Sequence, residues 1–377
     1  MPLAAKRWKR WLPAALLPLA LLAFAAMPDL VLSLRLLVGL RHLAASEEGE
    51  TAECSRVHLS RTFNGRTAEG VLYRPAAASP KHGLILVPGI SELGCAHPQL
   101  VSLCQLLATN GFAVFTPDIE SLRDFRIEPE AVDQIAFWFR QFPSLPGAES
   151  LSHAGVAGIS FSGTLALMAA ARPEIARSVS FVLGIGAYND LSECARLWFA
   201  PGPVTMAEGH HPTRYYARWI IMLGALDLVS DVADREYLAE ALRSLLLQQK
   251  PPAAAARLGP EARRWLQLAC AREDFSDPSL ARDIIAHVSA LVGDSLSPAA
   301  AAASLRCPVF LAHGAYDDQI PPAESLALGA EIAGARVLIS PFLTHTHPAT
   351  EGLTAREKAE AAYEALFFLH ALVRASR

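Results

Sequence analysis

The stretch Ala154-Gly155-Val156-Ala157-Gly158-Ile159-Ser160-Phe161-Ser162-Gly163 decides how this chain folds. Its first six residues, Ala154 to Ile159, form the continuous apolar run of a strand buried on both faces of a parallel sheet. A helical pattern follows at once, from Gly163 to Ala171. A serine on the sharp turn between such elements projects its hydroxyl above the sheet, clear of its neighbours. Small residues must flank it because strand and helix pass close together. The helix also presents its N-terminus, so backbone N–H groups face any negative charge that develops there. Ser160 is therefore the candidate nucleophile. Ser162 is the rival, although it lacks small flanking residues at the two-residue spacing, since Thr164 follows it.

Working outward, the same rhythm repeats. Arg56 to Thr62 and Gly70 to Tyr73 read as strands around the turn signal Asn64-Gly65. Leu84 to Val87 is a buried strand stopped by Pro88-Gly89, and Phe112 to Phe115 another, ended by Pro117-Asp118. Leu100 to Ala108 and Ala131 to Phe139 are helical, and Ser178 to Leu183 is the next strand. Strands alternating with helices imply a parallel sheet covered on both faces. After Asp190 the alternation gives way to an almost wholly helical stretch reaching about Ala303, with Ala233, Tyr237, Ala241 and Leu245 at four-residue spacing. It resumes with the strand Val309 to Ala312, a helix near Glu324 to Ile332 and the strand Val337 to Ser340. Thr354 and Glu357 form a capping-box signature that opens a last helix. One α/β domain with a helical insertion accounts for this order better than two domains do, and there are no internal repeats.

The N-terminus reads differently. Lys6, Arg7, Lys9 and Arg10 precede an uncharged apolar run from Trp11 to Met27. As a helix that run is about 25 Å long, a little short of a ~30 Å hydrocarbon core; extension to Leu34 spans it. The basic start and Ala23-Phe24-Ala25 fit a cleaved signal peptide. The further apolar stretch Leu30 to Leu40 fits a retained anchor, with the basic cluster held inside and the rest of the chain exported to the periplasmic or extracellular side. Cleavage would instead release a secreted protein. Residues 1–43 are thus expected to be a basic region with an anchor or signal segment, and the small, acidic residues 44–54 a linker.

With 377 residues, 52% hydrophobic and 19% charged, the chain has ample material for a large core. A formal charge of −4 with no basic stripe argues against a nucleic-acid partner. The six cysteines are dispersed and form no CxxC pair, so zinc binding or a dense disulfide framework is not indicated.

The motif Gly158-Ile159-Ser160-Phe161-Ser162-Gly163 resembles the nucleophile turn of the α/β-hydrolase superfamily. It departs from G-x-S-x-G in carrying Ser162 at the second glycine. The resemblance covers roughly Ser55 to Ala375 and implies an α/β-hydrolase domain over 55–377, a mostly parallel sheet flanked by helices, with a helical cap at about 191–303. His313-Gly314-Ala315-Tyr316-Asp317-Asp318-Gln319-Ile320-Pro321, directly after a buried strand, looks like the family segment that supplies the acid, which falls on Asp317. Asp190 is the other place for an acid, and a helix cap is the plain alternative for Asp317. The family's base is then expected in Phe342-Leu343-Thr344-His345-Thr346-His347-Pro348, at His345, with His347 as the alternative. The oxyanion donors implied are the N–H groups of Phe161 and of Ile90, in the loop Pro88-Gly89-Ile90. Cys95 and His97 lie nearby without an acid in a family position, and read as loop and helix-start residues.

A hydroxyl attacks only if a histidine takes its proton, and that histidine needs a carboxylate to set its tautomer. Ser160, His345 and Asp317 therefore imply a serine hydrolase acting on carboxylic esters through an acyl-enzyme, with a hydrophobic or lipid-like ester as substrate. No cofactor or metal is implied. The same residues would serve an acyltransferase, a thioesterase or an amidase. The reading from a different class is a catalytically inactive, membrane-tethered binding module.

Overall fold

A computed structural model describes residues 27–43, 54–151, 153–200, 215–252, 258–271, 277–292, 295–345 and 352–377. In chain order the elements begin with α1 (Pro28–Leu43), β1 (Cys54–Phe63), β2 (Arg66–Pro75), β3 (His82–Val87), α2 (Pro98–Thr109) and β4 (Phe112–Asp118). Next come α3 (Glu120–Arg123), α4 (Glu130–Gln141), β5 (Ala154–Ile159), α5 (Phe161–Ala170) and β6 (Val179–Ile185). The helices α6 (Leu191–Trp198), α7 (Tyr215–Gly224), α8 (Val232–Leu246), α9 (Pro260–Cys270), α10 (Pro278–Val292) and α11 (Pro298–Ala302) all lie between β6 and the next strand. The chain then completes β7 (Val309–Gly314), α12 (Pro322–Glu331), β8 (Arg336–Ser340) and α13 (Ala355–Ala375).

Eight strands form one sheet in the order β1-β2-β4-β3-β5-β6-β7-β8. β1 pairs antiparallel with β2, and β2 antiparallel with β4; every other pair is parallel. The β1–β2 hairpin closes through Asn64 at φ 49 and Gly65 at φ 76. Two successive positive φ values belong to the tight turn whose twist matches the flanking strands, hence the Asn-Gly pair.

The apolar runs are explained by what covers them. Ile85 and Val87 of β3 face one core with Phe115, Val156, Val182 and Leu311, under α4, α5 and the helices that follow β6. Leu84 and Leu86 face a second core with Val114, Ala157, Phe181 and Phe310, under α2 and α13. A strand with both faces buried has no polar side to show, so alternation disappears. α13 starts at the expected capping box, in which the Thr354 hydroxyl accepts from Glu357 N–H and the Glu357 carboxylate accepts from Thr354 N–H.

The expectation of a membrane-anchored, exported chain is corrected here. Among the described residues no helix is long and apolar enough to cross a membrane. Leu30 to Leu40, read as part of an anchor, belong instead to the 16-residue α1, which packs against α2 and α13. Leu36 is 2% exposed within the second core. Asp29 of α1 pairs with Arg377 after α13. One side of this apolar stretch thus packs against protein, while Leu34, Val38 and Leu40 stay exposed. Trp11 to Ala26 lie outside the described residues, as do residues 44–53 of the expected linker.

The packing of α1 makes a testable difference between its faces. Leu36→Ala should cost about 2–4 kcal/mol in urea unfolding, as for a buried leucine truncated to leave a cavity. Leu40→Ala, at a position 37% exposed, should change stability by no more than about 0.5 kcal/mol.

Candidate active site

β5 ends at Ile159 and α5 begins at Phe161, so Ser160 alone turns the chain. It does so at φ 60 and ψ −132, a backbone region that costs a residue with a Cβ on the order of 1–3 kcal/mol. The surroundings hold it there. Ser160 N–H donates to Ile185 O at 2.6 Å, and Gly163 N–H donates to Ser160 O at 2.8 Å. Beneath the turn, a Cβ on Gly158 would sit 2.0 Å from Ser162 O. Only glycine fits that position.

Ser162 is a brace. Its hydroxyl accepts from Ile159 N–H at 3.0 Å and shares its proton between Ile159 O at 2.7 Å and Val87 O at 3.2 Å. The side chain is wholly buried. Where the family pattern has glycine, this chain uses a hydroxyl to tie the turn to the end of β3. Ser162 therefore has no free hydroxyl to present as a nucleophile.

His345, on the loop after β8, places Nε2 2.9 Å from Ser160 Oγ. Its Nδ1 lies 3.0 Å from Asp317 Oδ1 and 2.9 Å from Oδ2. A carboxylate only accepts, so Nδ1 carries the ring proton and the Nε2 lone pair faces the serine hydroxyl. Asp317 follows β7 and is 1% exposed. Its Oδ1 also accepts the N–H groups of Gln319 and Ile320, both at 2.9 Å. The turn-capping role and the contact with His345 are thus compatible. Burial pushes the Asp317 carboxyl up, but the charge of His345, the hydrogen bonds from His313 and His345 and the charge of His313 outweigh it. The acid is held well below the usual carboxylate range.

The loop after β3 passes directly over the turn: a Cβ on Gly89 would lie 3.8 Å from Ser160 Cβ and 3.4 Å from Ile159 O. Ile90 is next to it and buried. Phe161 is the first residue of α5, where backbone N–H groups have no acceptor within their own helix. Its ring packs between Tyr188 and Trp198, with centroids 6.0 and 5.8 Å away. Trp198 Nε1–H donates to Gln319 O at 2.6 Å, joining α6 to the Asp317 turn. Ser160 is 8% exposed and the His345 side chain 12%, so the pair is open along one edge.

The alternatives find other employment. Asp190 caps α6, accepting from Ser192 and Glu193 N–H. Burial raises the Cys95 thiol to about 11, so it is not a ready thiolate. His97 immediately precedes α2. Asp318 is half-buried beside Asp317, and His347 lies outside the described residues. Two residues at the site escaped the sequence reading. Gly186, at φ 66, turns the chain between acid and nucleophile in a backbone conformation that favours glycine; a Cβ there would only touch Asp317 Oδ2 at 3.6 Å and Ser160 Cα at 3.8 Å. A glycine just past a buried strand was the available signal. His313 contacts Asp317 from the other side, at 3.2 Å, and was visible only as the first letter of the acid motif.

These contacts generate two expectations. Ser162→Ala strands Ile159 N–H and Val87 O and should cost about 1–3 kcal/mol in denaturant unfolding, while Ser160 remains reactive. The Asp317 carboxyl is depressed in the folded state, so its stabilising effect is complete above the unfolded value of about 3.9 and is lost as pH falls through the lower folded one. The stability gap between the unmutated protein and Asp317→Asn should therefore be level from about pH 5 to 6 and narrow as pH drops below about 4.

No protein-family model and no curated protein matches the chain. Among solved structures it is similar to brefeldin A esterase, a bacterial homologue of human hormone sensitive lipase, at 13% identity and TM-score 0.49 over 92% of this chain and 86% of that one. Est1E from Butyrivibrio proteoclasticus shares 11% identity at TM-score 0.45, over 84% of this chain and 98% of that one. The acylaminoacyl peptidase of Pyrococcus horikoshii shares 12% at TM-score 0.44, over 86% of this chain but 41% of that one. Likenesses this distant say nothing about individual residues or substrates. The strand order, the antiparallel β1–β2–β4 edge, the parallel remainder and the strand-serine-helix turn at the end of β5 are what define the architecture: it is the α/β-hydrolase fold.

Proposed function

We propose that the chain is a serine hydrolase that cleaves carboxylic esters through an acyl-enzyme intermediate. The observation that carries this reading is the hydrogen-bonded series Ser160 Oγ, His345 and Asp317, built on a serine held in strained backbone. His345 Nε2 takes the Ser160 proton as Oγ attacks the ester carbonyl carbon. Asp317, ionised and buried, fixes the His345 tautomer and balances the imidazolium that forms. The carbonyl oxygen, now negative, faces the N–H groups of Phe161 and Ile90. His345 then returns the proton to the leaving alcohol, leaving the acyl group on Ser160. Water, activated by the same imidazole, releases the carboxylic acid and restores the serine.

A hydrophobic ester fits the surroundings. Phe161, next to the nucleophile in the chain, packs with Tyr188 and Trp198, and Ile90 belongs to the same apolar core. Transfer of the acyl group to an alcohol or amine would use the same groups, with a different acceptor in place of water.

A fluorophosphonate probe should label the unmutated protein and Ser162→Ala but not Ser160→Ala, read by intact-mass analysis. The absence of labelling in the unmutated protein would favour the binding-module reading and refute the enzyme. With p-nitrophenyl esters of graded chain length, Ser160→Ala and His345→Ala should each lower kcat by about 10⁴- to 10⁶-fold. The best substrate in that series should be one with an extended acyl chain rather than acetate.

A further inference from the structure

The acid of the site is held by two imidazoles, and the relay to Ser160 uses one. His313, in β7, is completely buried. Its Nε2 lies 2.9 Å from Ile320 O and 3.2 Å from Asp317 Oδ2. Both of those atoms are acceptors, so Nε2 must carry a proton. Nδ1 lies 2.6 Å from Ser325 Oγ, whose hydroxyl also approaches Ala187 O at 3.1 Å. The ring is thus clamped at both nitrogens by β7's neighbours, the Asp317 turn on one side and α12 on the other.

The division of labour at the carboxylate follows from these contacts. Oδ1 is fixed by two backbone N–H groups, from Gln319 and Ile320. Two donors on one oxygen leave the carboxylate free to swing its other oxygen. His345 cannot prevent this, because it sits on a loop, approaches both oxygens at nearly equal distance and must change charge in each turnover. His313 is the other group close to Oδ2, and it stands on β7, which is paired on both sides by β6 and β8. Close polar contacts thus run from Ser325 through His313, Asp317 and His345 to Ser160.

We propose that His313 is a positioning residue for the reaction: its Nε2–H, donated to Ile320 O, also faces Asp317 Oδ2 at 3.2 Å, and Ser325 holds the opposite ring nitrogen, so that the carboxylate stays in one orientation while His345 gains and loses its proton. The inference rests on the relay reading above. A buried, fully partnered donor keeps its geometry through turnover, and misplacement of a catalytic group by an ångström is enough to cost about 100-fold in rate.

The test compares His313→Leu, His313→Gln and Ser325→Ala with the unmutated enzyme on the same p-nitrophenyl ester, with urea midpoints measured alongside. His313→Leu should lower kcat about 10- to 100-fold with KM within about twofold, because substrate does not touch His313. His313→Gln, which can still offer an amide N–H toward Asp317, should recover most of that loss. Ser325→Ala should show a smaller fall in kcat, again without a change in KM. The low-field proton resonance of His345 Nδ1–H against Asp317 should move in His313→Leu and return toward its original position in His313→Gln. If His313→Leu fails to fold, His313→Gln and Ser325→Ala carry the test: unchanged kcat together with an unmoved resonance in Ser325→Ala overturns the proposal. Folded His313→Leu with unchanged kcat overturns it directly, as does an equal loss in Leu and Gln variants. An inactive unmutated protein would instead refute the relay itself, which separates the two failures.

Discussion

The strained backbone of Ser160 is the constraint on which the rest of the molecule depends, because nothing local would keep a serine at φ 60 and ψ −132. Left to itself such a residue relaxes, and a cost on the order of 1–3 kcal/mol is enough to empty the conformation. What holds it is long-range. Ile185 at the end of β6 accepts its N–H, Gly158 lets α5 settle against β5, and the Ser162 hydroxyl ties the turn to Val87 of β3. Three adjacent strands thus meet at one residue. Two of these strand ends deliver loops beside it, the Pro88-Gly89-Ile90 crossing after β3 and the Gly186 turn after β6.

From that point the chemistry is a matter of matching charge to burial. An ionised carboxylate in a site 1% exposed is costly unless its lone pairs are met. Asp317 meets that requirement with two backbone N–H groups and two imidazoles. The compensation more than reverses the effect of burial, which is why the acid stays charged and able to face an imidazolium. The helices between β6 and β7 enter through the same network: Trp198 of α6 donates to the Asp317 turn at Gln319 and packs at a tilt against Phe161. The buried aromatic group beside the turn and the polar groups of the candidate site are therefore braced by one set of contacts.

Much of the architecture was legible because buried parallel strands write an unmistakable pattern. Ala154 to Ile159 coincides with β5, and the apolar centres of β3, β4, β6, β7 and β8 were each marked, their ends falling within a few residues of the observed ones. Strand ends such as His82 and His313 are buried but polar, so hydropathy undercounts them. The apolar N-terminal stretch misled for a related reason. Hydropathy measures how badly a segment needs to leave water and does not say whether lipid or protein receives it; α1 found α2 and α13.

By itself the sequence determined the alternation of strands and helices on either side of a helical stretch, the hairpin at Asn64-Gly65, the serine at a strand-to-helix turn and the residue types able to form a relay. These are local matters: periodicity, φ preference and the chemistry of side chains at short spacing. Only the tertiary structure decided that Ser162 braces while Ser160 faces His345, that Asp190 caps a helix while Asp317 meets the imidazole, and that His313 grips the same carboxylate. Each of those choices depends on which groups lie within about 3 Å across the sheet, a distance set by strand register and loop path between residues far apart in the chain.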